Sequence, residues 1–177
     1  MNPALYPIPT RPIVVIENRI KESIADPDGL LYGVTYDREA RIQPLAADTL
    51  PFIQPVDYPY SERIFGGAAR EGDNMGNTPL ITDGVLSLFV GARREYGMVI
   101  RDANNPADGK GVLQWANRLK DVIETDEFGN IDAFLSGTLA KPVSFVIRNN
   151  YVSELAFVVM LEVNLFTVPF YRGGRTP

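Results

Sequence analysis

Apolar positions recur along the chain at two periods, and the changes of period divide it into elements. Ile13, Ile16, Ile20 and Ile24 stand three and four residues apart, with Glu17, Arg19, Lys21 and Glu22 filling the other faces. This spacing predicts an amphipathic N-terminal helix. Pro12 suits its first turn, the β-branched run at residues 13–16 weakens that turn, and Asp26-Pro27-Asp28-Gly29 ends the helix. A second stripe, Val112, Trp115, Ala116, Leu119, Val122 and Ile123, predicts a stronger central helix that packs on a sheet, with Trp115 as a core residue.

Elsewhere the pattern is that of strands. Short β-like pieces at residues 30–37, 40–46 and 51–56 read as hairpin-linked strands, and Pro44 and Pro55 place the latter two at sheet edges or end them there. Residues 58–79 are rich in glycine and lack periodicity, which predicts a long projecting loop. β character returns around Val85, Leu86, Leu88, Phe89 and Val90. After the central helix, Val143, Phe145 and Ile147 predict one arm of a hairpin, Asn149-Asn150 its turn, and residues 151–170 a long final strand. Leu155 to Leu161 are all apolar, so both faces of that strand need cover from helices, another sheet or a partner chain. Glu154, Glu162 and Asn164 interrupt the run well short of the roughly 20 apolar residues of a membrane helix.

The expected fold class is therefore α+β: a mostly antiparallel twisted sheet, an N-terminal helix and one strong central helix packed on it, and a long projecting loop. Residues 1–177 are read as one domain, with a Pro-rich extended arm at 1–12, the loop excursion at 58–79 and a basic tail at 171–177. The arm lacks the cationic and apolar stretches of a secretion signal.

Composition narrows the chemistry. The chain has no cysteine and no histidine, which excludes Ser-His-Asp and Cys-His nucleophile systems, imidazole acid–base work and the common Cys/His zinc sites. A formal net charge of -5 argues against nucleic-acid binding, which depends on clustered Lys and Arg. The carboxylates Asp121, Glu124, Asp126, Glu127 and Asp132 lack the pattern of an EF-hand and read as a solvated helix end. Gly66-Gly67 and Gly173-Gly174 do not form a phosphate loop. No catalytic residue, cofactor site or metal site is assigned. The aromatic patch of Phe52, Tyr58, Tyr60 and Phe65 is a candidate interface, as are Arg93-Arg94 and the basic tail with Arg172 and Arg175.

The order of elements resembles that of the tail terminator and tail-completion (neck) proteins of long-tailed bacteriophages. An N-terminal helix (IVVIENRIKESI), β-hairpins, a central excursion, one strong helix (GVLQWANRLKDVIE) and a closing hairpin with a long apolar strand carry the likeness, over residues 13–170. The resemblance implies a non-enzymatic virion protein, assembled in the host cytoplasm. It implies a cyclic, hexameric ring at the head-proximal end of the tail that ends tube growth and joins the tail to the head. The implied partners are further copies of the chain, the tail-tube protein, the head–tail connector and a sheath protein. DNA would pass through the lumen without specific binding, and no membrane is involved. The arm, the excursion and the final strand would make the contacts, adding Phe166, Phe170, Tyr171 and Arg172 to the interface candidates. Three other readings stand beside it: another neck, sheath-adjacent or baseplate component, a small adaptor that binds a peptide or protein at a sheet edge, and a carboxylate- or metal-dependent hydrolase built on the residue 121–132 cluster.

Overall fold

The computed structural model of the chain describes residues 11–36, 49–64, 80–99, 104–105, 108–124, 138–152 and 154–169. Helix α1 (Arg11–Ala25) forms on the isoleucine stripe, and Ile16 and Ile20 on that stripe are fully buried. It begins at Arg11, so residues 11 and 12 of the expected arm are helical. A proline in the first turn sacrifices nothing, because that N–H has no partner within the helix. The stop is built as the sequence predicts: the Gly29 N–H donates to the Asp26 carbonyl (2.9 Å) and the Asp28 N–H to Asp26 Oδ1 (3.0 Å). The Leu31 N–H then donates to Ser23 Oγ (3.2 Å), tying the turn back to the helix.

Among the described residues the sheet has six strands: β1 (Thr35–Tyr36), β2 (Phe52–Asp57), β3 (Tyr60–Ile64), β4 (Leu80–Arg93), β5 (Thr138–Val152) and β6 (Ala156–Pro169). Their order is β1-β2-β4-β6-β5, with β3 beside the first half of β4 on the β2 side. Among the described residues all pairs are antiparallel except β1–β2, and the sheet does not close. The fold is thus α+β with an N-terminal helix, one central helix and a mostly antiparallel sheet, as expected.

Three local expectations need correction, and one cannot be compared. Residues 30–33 are turns and only Thr35–Tyr36 is extended, running parallel to β2 and not as a hairpin; residues 37–51 provide the length that a parallel connection demands. The predicted strand at 40–46, with Pro44, lies outside the described residues. The excursion at 58–79 does not begin as a loop: Tyr60–Ile64 pairs with β4 from Tyr60↔Gly84 to Ile64↔Leu80, and the ladder outweighs the local composition. Finally, Asn149-Asn150 is not the hairpin turn. Both asparagines lie in β5, where a register shift between Asn149 and Tyr151 absorbs the extra residue as a bulge, and β5 runs on to Val152 before β6 begins at Ala156. Pro55 behaves as expected. It pairs with Leu88 on one side and lies beyond the two β2 positions that β1 occupies on the other.

Helix α2 (Val112–Glu124) is set by the chain leaving β4. A 3-10 turn at Arg94–Tyr96 carries Gly97 and Met98 to the start of the helix, where their carbonyls accept from the Val112 and Leu113 N–H groups (3.3 and 3.1 Å). Gln114 Oε1 accepts from the Gly111 N–H (3.0 Å), the return half of a capping box. The usual Ser or Thr cap is barred at residue 111, since a Cβ there would stand 2.6 Å from the Met98 carbonyl oxygen.

Both helices share one core with one face of the sheet. Ile16 and Ile20 of α1, with Val112, Leu119 and Ile123 of α2, cover Leu86, Leu88 and Val90 of β4 and Leu161, Val163 and Leu165 of β6. The alternate residues of β4 and β6 face the other way, and there Leu50, Phe52, Ala156 and Val158 form a second, smaller cluster with Phe89. The apolar run of β6 is therefore covered on both faces at its start, by the helices on one side and by Leu50 and Phe52 on the other.

Candidate assembly surface

The expected aromatic patch divides between the two faces of the sheet. Phe52 is 3% exposed, so it is core and not interface. In register it stands beside Gly91, and Gly91 stands beside Val158; the Phe52 ring fills the space over the glycine, where a Cβ would lie 2.0 Å from Cε1. Tyr58 does the same for Gly84, where a Cβ would lie 2.4 Å from the ring, and it packs against the main core. Its hydroxyl is buried without a hydrogen-bond partner among the described residues. Burial first, and neighbouring Tyr60 second, push the phenol up from 10.0 to about 12. Tyr60 stacks on it at 5.6 Å between ring centroids and is itself 48% exposed, so it is the member of the patch that faces solvent. Phe65 lies outside the described residues.

The arginines stand at the other end of β4, about 30 Å from the tyrosines at the usual rise per residue. Arg93 closes the strand with its guanidinium 3.5 Å from Glu95 Oε1, and exposed Arg94 opens the 3-10 turn with its N–H donated to the Leu155 carbonyl (2.9 Å). Phe166 occupies a central position of β6, between Asp83 of β4 and Lys141 of β5. Phe170, Tyr171, Arg172 and Arg175 lie outside the described residues. Of the acidic cluster, Asp121 and Glu124 are exposed on α2, with Glu124 3.3 Å from Lys120; Asp126, Glu127 and Asp132 lie outside the description. Among the described residues no group of three Asp or Glu side chains is placed to hold a metal ion, and no helix is long and apolar enough to cross a membrane.

The surface that sequence reasoning missed is β5. It forms the edge of the sheet, fifteen residues long, with β6 on its inner side. Register shifts at Pro142/Ser144 and Asn149/Tyr151 bracket a regular stretch, residues 144–149. Within it Val146 and Ile147 are 39% and 37% exposed, on opposite faces of the strand. Phe145 turns inward against the helix-side core, under Lys120 Nζ at 5.6 Å, and Arg148 Nε donates to Glu162 Oε2 of β6 at 2.7 Å. Glu162, which interrupts the apolar run of β6, thus fastens the edge strand to its neighbour. A long edge with two adjacent exposed β-branched residues is a template for another strand. Pro142 was the available signal, since a proline inside a strand pattern marks an edge.

Comparison with protein-family models gives no match, and comparison with curated proteins gives none.

Proposed function

We propose that the chain is a non-enzymatic structural subunit that works by assembling with copies of itself, and that its assembly is the ring closing the head-proximal end of a long phage tail. The observation that carries the reading is the open β5 edge among the described residues, with Val146 and Ile147 exposed on its two faces. Burial of such an edge against another polypeptide satisfies backbone groups and removes apolar surface from water in one step. The order of elements supplies the phage context. In it, one face of the ring meets the last tube ring and the other the head–tail connector, and the acidic net charge leaves DNA in the lumen unbound.

The test is electron microscopy of particles from a phage lacking only this chain. Tails of uncontrolled length, or finished tails unjoined to filled heads, are the expected outcome. Normal infectious particles would end the proposal. The same edge also suits an adaptor that takes up a peptide strand, and that reading differs by requiring a chain that stays monomeric and binds one partner tightly.

A further inference from the structure

We infer that the turn Asp108-Gly109 is a site of spontaneous covalent modification, where aspartate converts through a cyclic imide to an isoaspartyl linkage that a protein carboxyl methyltransferase recognises. The reaction needs no cofactor and no redox step. The backbone nitrogen of the glycine attacks Cγ of the aspartic acid, an N–Cγ bond forms, and the carboxyl oxygen leaves as water with the amide proton. Water then opens the succinimide ring at either carbonyl. Opening at Cγ restores aspartate. Opening at the backbone carbonyl leaves the chain running through the side chain, one carbon longer, with a new free α-carboxylate.

The dipeptide alone does not select the site. Asp-Gly occurs at residues 28, 83 and 108, and in each the glycine leaves its nitrogen without a side chain beside it. The fold restrains two of the three. Asp83 and Gly84 lie inside β4 with ladders on both sides, to Ser61 and Tyr60 of β3 and to Phe166 and Leu165 of β6, and the Tyr58 ring covers Gly84. Asp28 and Gly29 belong to the stop of α1, where the Gly29 N–H already donates to the Asp26 carbonyl (2.9 Å) and the Asp28 N–H to Asp26 Oδ1 (3.0 Å). Gly29 is also pressed on the helix, since a Cβ there would run into the Ser23 carbonyl oxygen, so a lengthened backbone has no room.

Asp108-Gly109 is held by no ladder. Asp108 is exposed and donates its N–H to the Asn105 carbonyl (2.8 Å), in the connection that precedes α2. Gly109 has a φ of +74°, a conformation that side chains resist. Among the described residues no backbone carbonyl accepts from its N–H, the group that must attack. The atom nearest to where its Cβ would stand is Arg118 Nη2 at 2.8 Å, the end of a flexible side chain that gives way more readily than backbone.

The test incubates the full-length folded chain at neutral pH, digests it, and scores isoaspartate at each site by electron-transfer mass spectrometry. Methyl transfer from labelled S-adenosylmethionine by isoaspartyl methyltransferase is the second probe. Isoaspartate should accumulate at residue 108 more than about tenfold faster than at 28 or 83, which must first open their hydrogen bonds. Asp108→Glu should abolish most of the methyl-accepting signal, because the longer side chain closes a larger ring far more slowly. In urea above the unfolding transition, the three sites should convert at similar rates. No isoaspartate at 108 in the folded chain, or equal conversion at 28 or 83, would overturn the assignment. A preference for 108 that persists unchanged in urea would also overturn it, since the neighbouring residues and not the fold would then make the choice.

Discussion

Gly91 and Phe52 act as one unit. The ring lies where a Cβ would stand, and both residues are buried, so the ring has little room to withdraw. Gly91→Ala is expected to cost about 1–3 kcal/mol by overpacking, measured by urea unfolding, and Phe52→Leu in the same chain should return part of it. Tyr58 gives a pH signature. Its folded-state pKa is raised to about 12, so the stability it contributes is fully present below 10.0 and is lost as pH rises toward 12. In the Tyr58→Phe variant the fall of the urea midpoint across this window should be smaller than in wild type. Below the window the variant should match or exceed wild type, because the buried hydroxyl has no partner to lose. These two aromatics also show a limit on reading sequence. Exposed and buried aromatics look alike in a string, and the distinguishing signal lay elsewhere, in the glycines within the β4 pattern that mark close approach by a neighbour.

At the scale of elements, period sufficed for the helices. Both formed on their stripes, because a stripe of one kind of residue at a 3.6-residue period suits only a helix with one buried face. The end of α1 was local, at Asp26 to Gly29, whereas the start of α2 depended on a longer-range contact, with Gly97 and Met98 supplying the carbonyls beside its first amides. Gln114→Ala should therefore destabilise the protein by only about 1 kcal/mol in thermal or urea unfolding, since the Gly97 and Met98 bonds remain. Strands were less legible. The bulge at Asn150 and the parallel pairing of β1 with β2 are decisions of the partner strand, and no local pattern encodes them. Pro142 did encode the edge, the one part of the candidate surface that the sequence alone could have disclosed.

For the whole molecule, the described sheet is open at both edges, β5 on one side and β1 and β3 on the other. Ile64 and Leu80 are direct partners, so residues 65–79 join two strand ends that already lie side by side. Replacing them with a two-residue Asn-Gly turn should leave far-UV circular dichroism and cooperative unfolding unchanged, which limited proteolysis and thermal melts would check. Deletion of residues 58–79 as a block would also remove β3, and should instead expose β4 and destabilise the fold.

The place of β4 has a kinetic consequence. It lies between β2 and β6, and its central pair, Leu88↔Leu161, joins positions about 70 residues apart. The β5–β6 hairpin closes over a short turn, while docking of β4 waits on a large loop closure, so refolding should fall in the slow range of milliseconds to seconds set by non-local pairing. Trp115, the single tryptophan, reports it by stopped-flow fluorescence. Until β4 arrives, β6 presents an unpaired side beside the already open β5, and the refolding yield should fall as protein concentration rises.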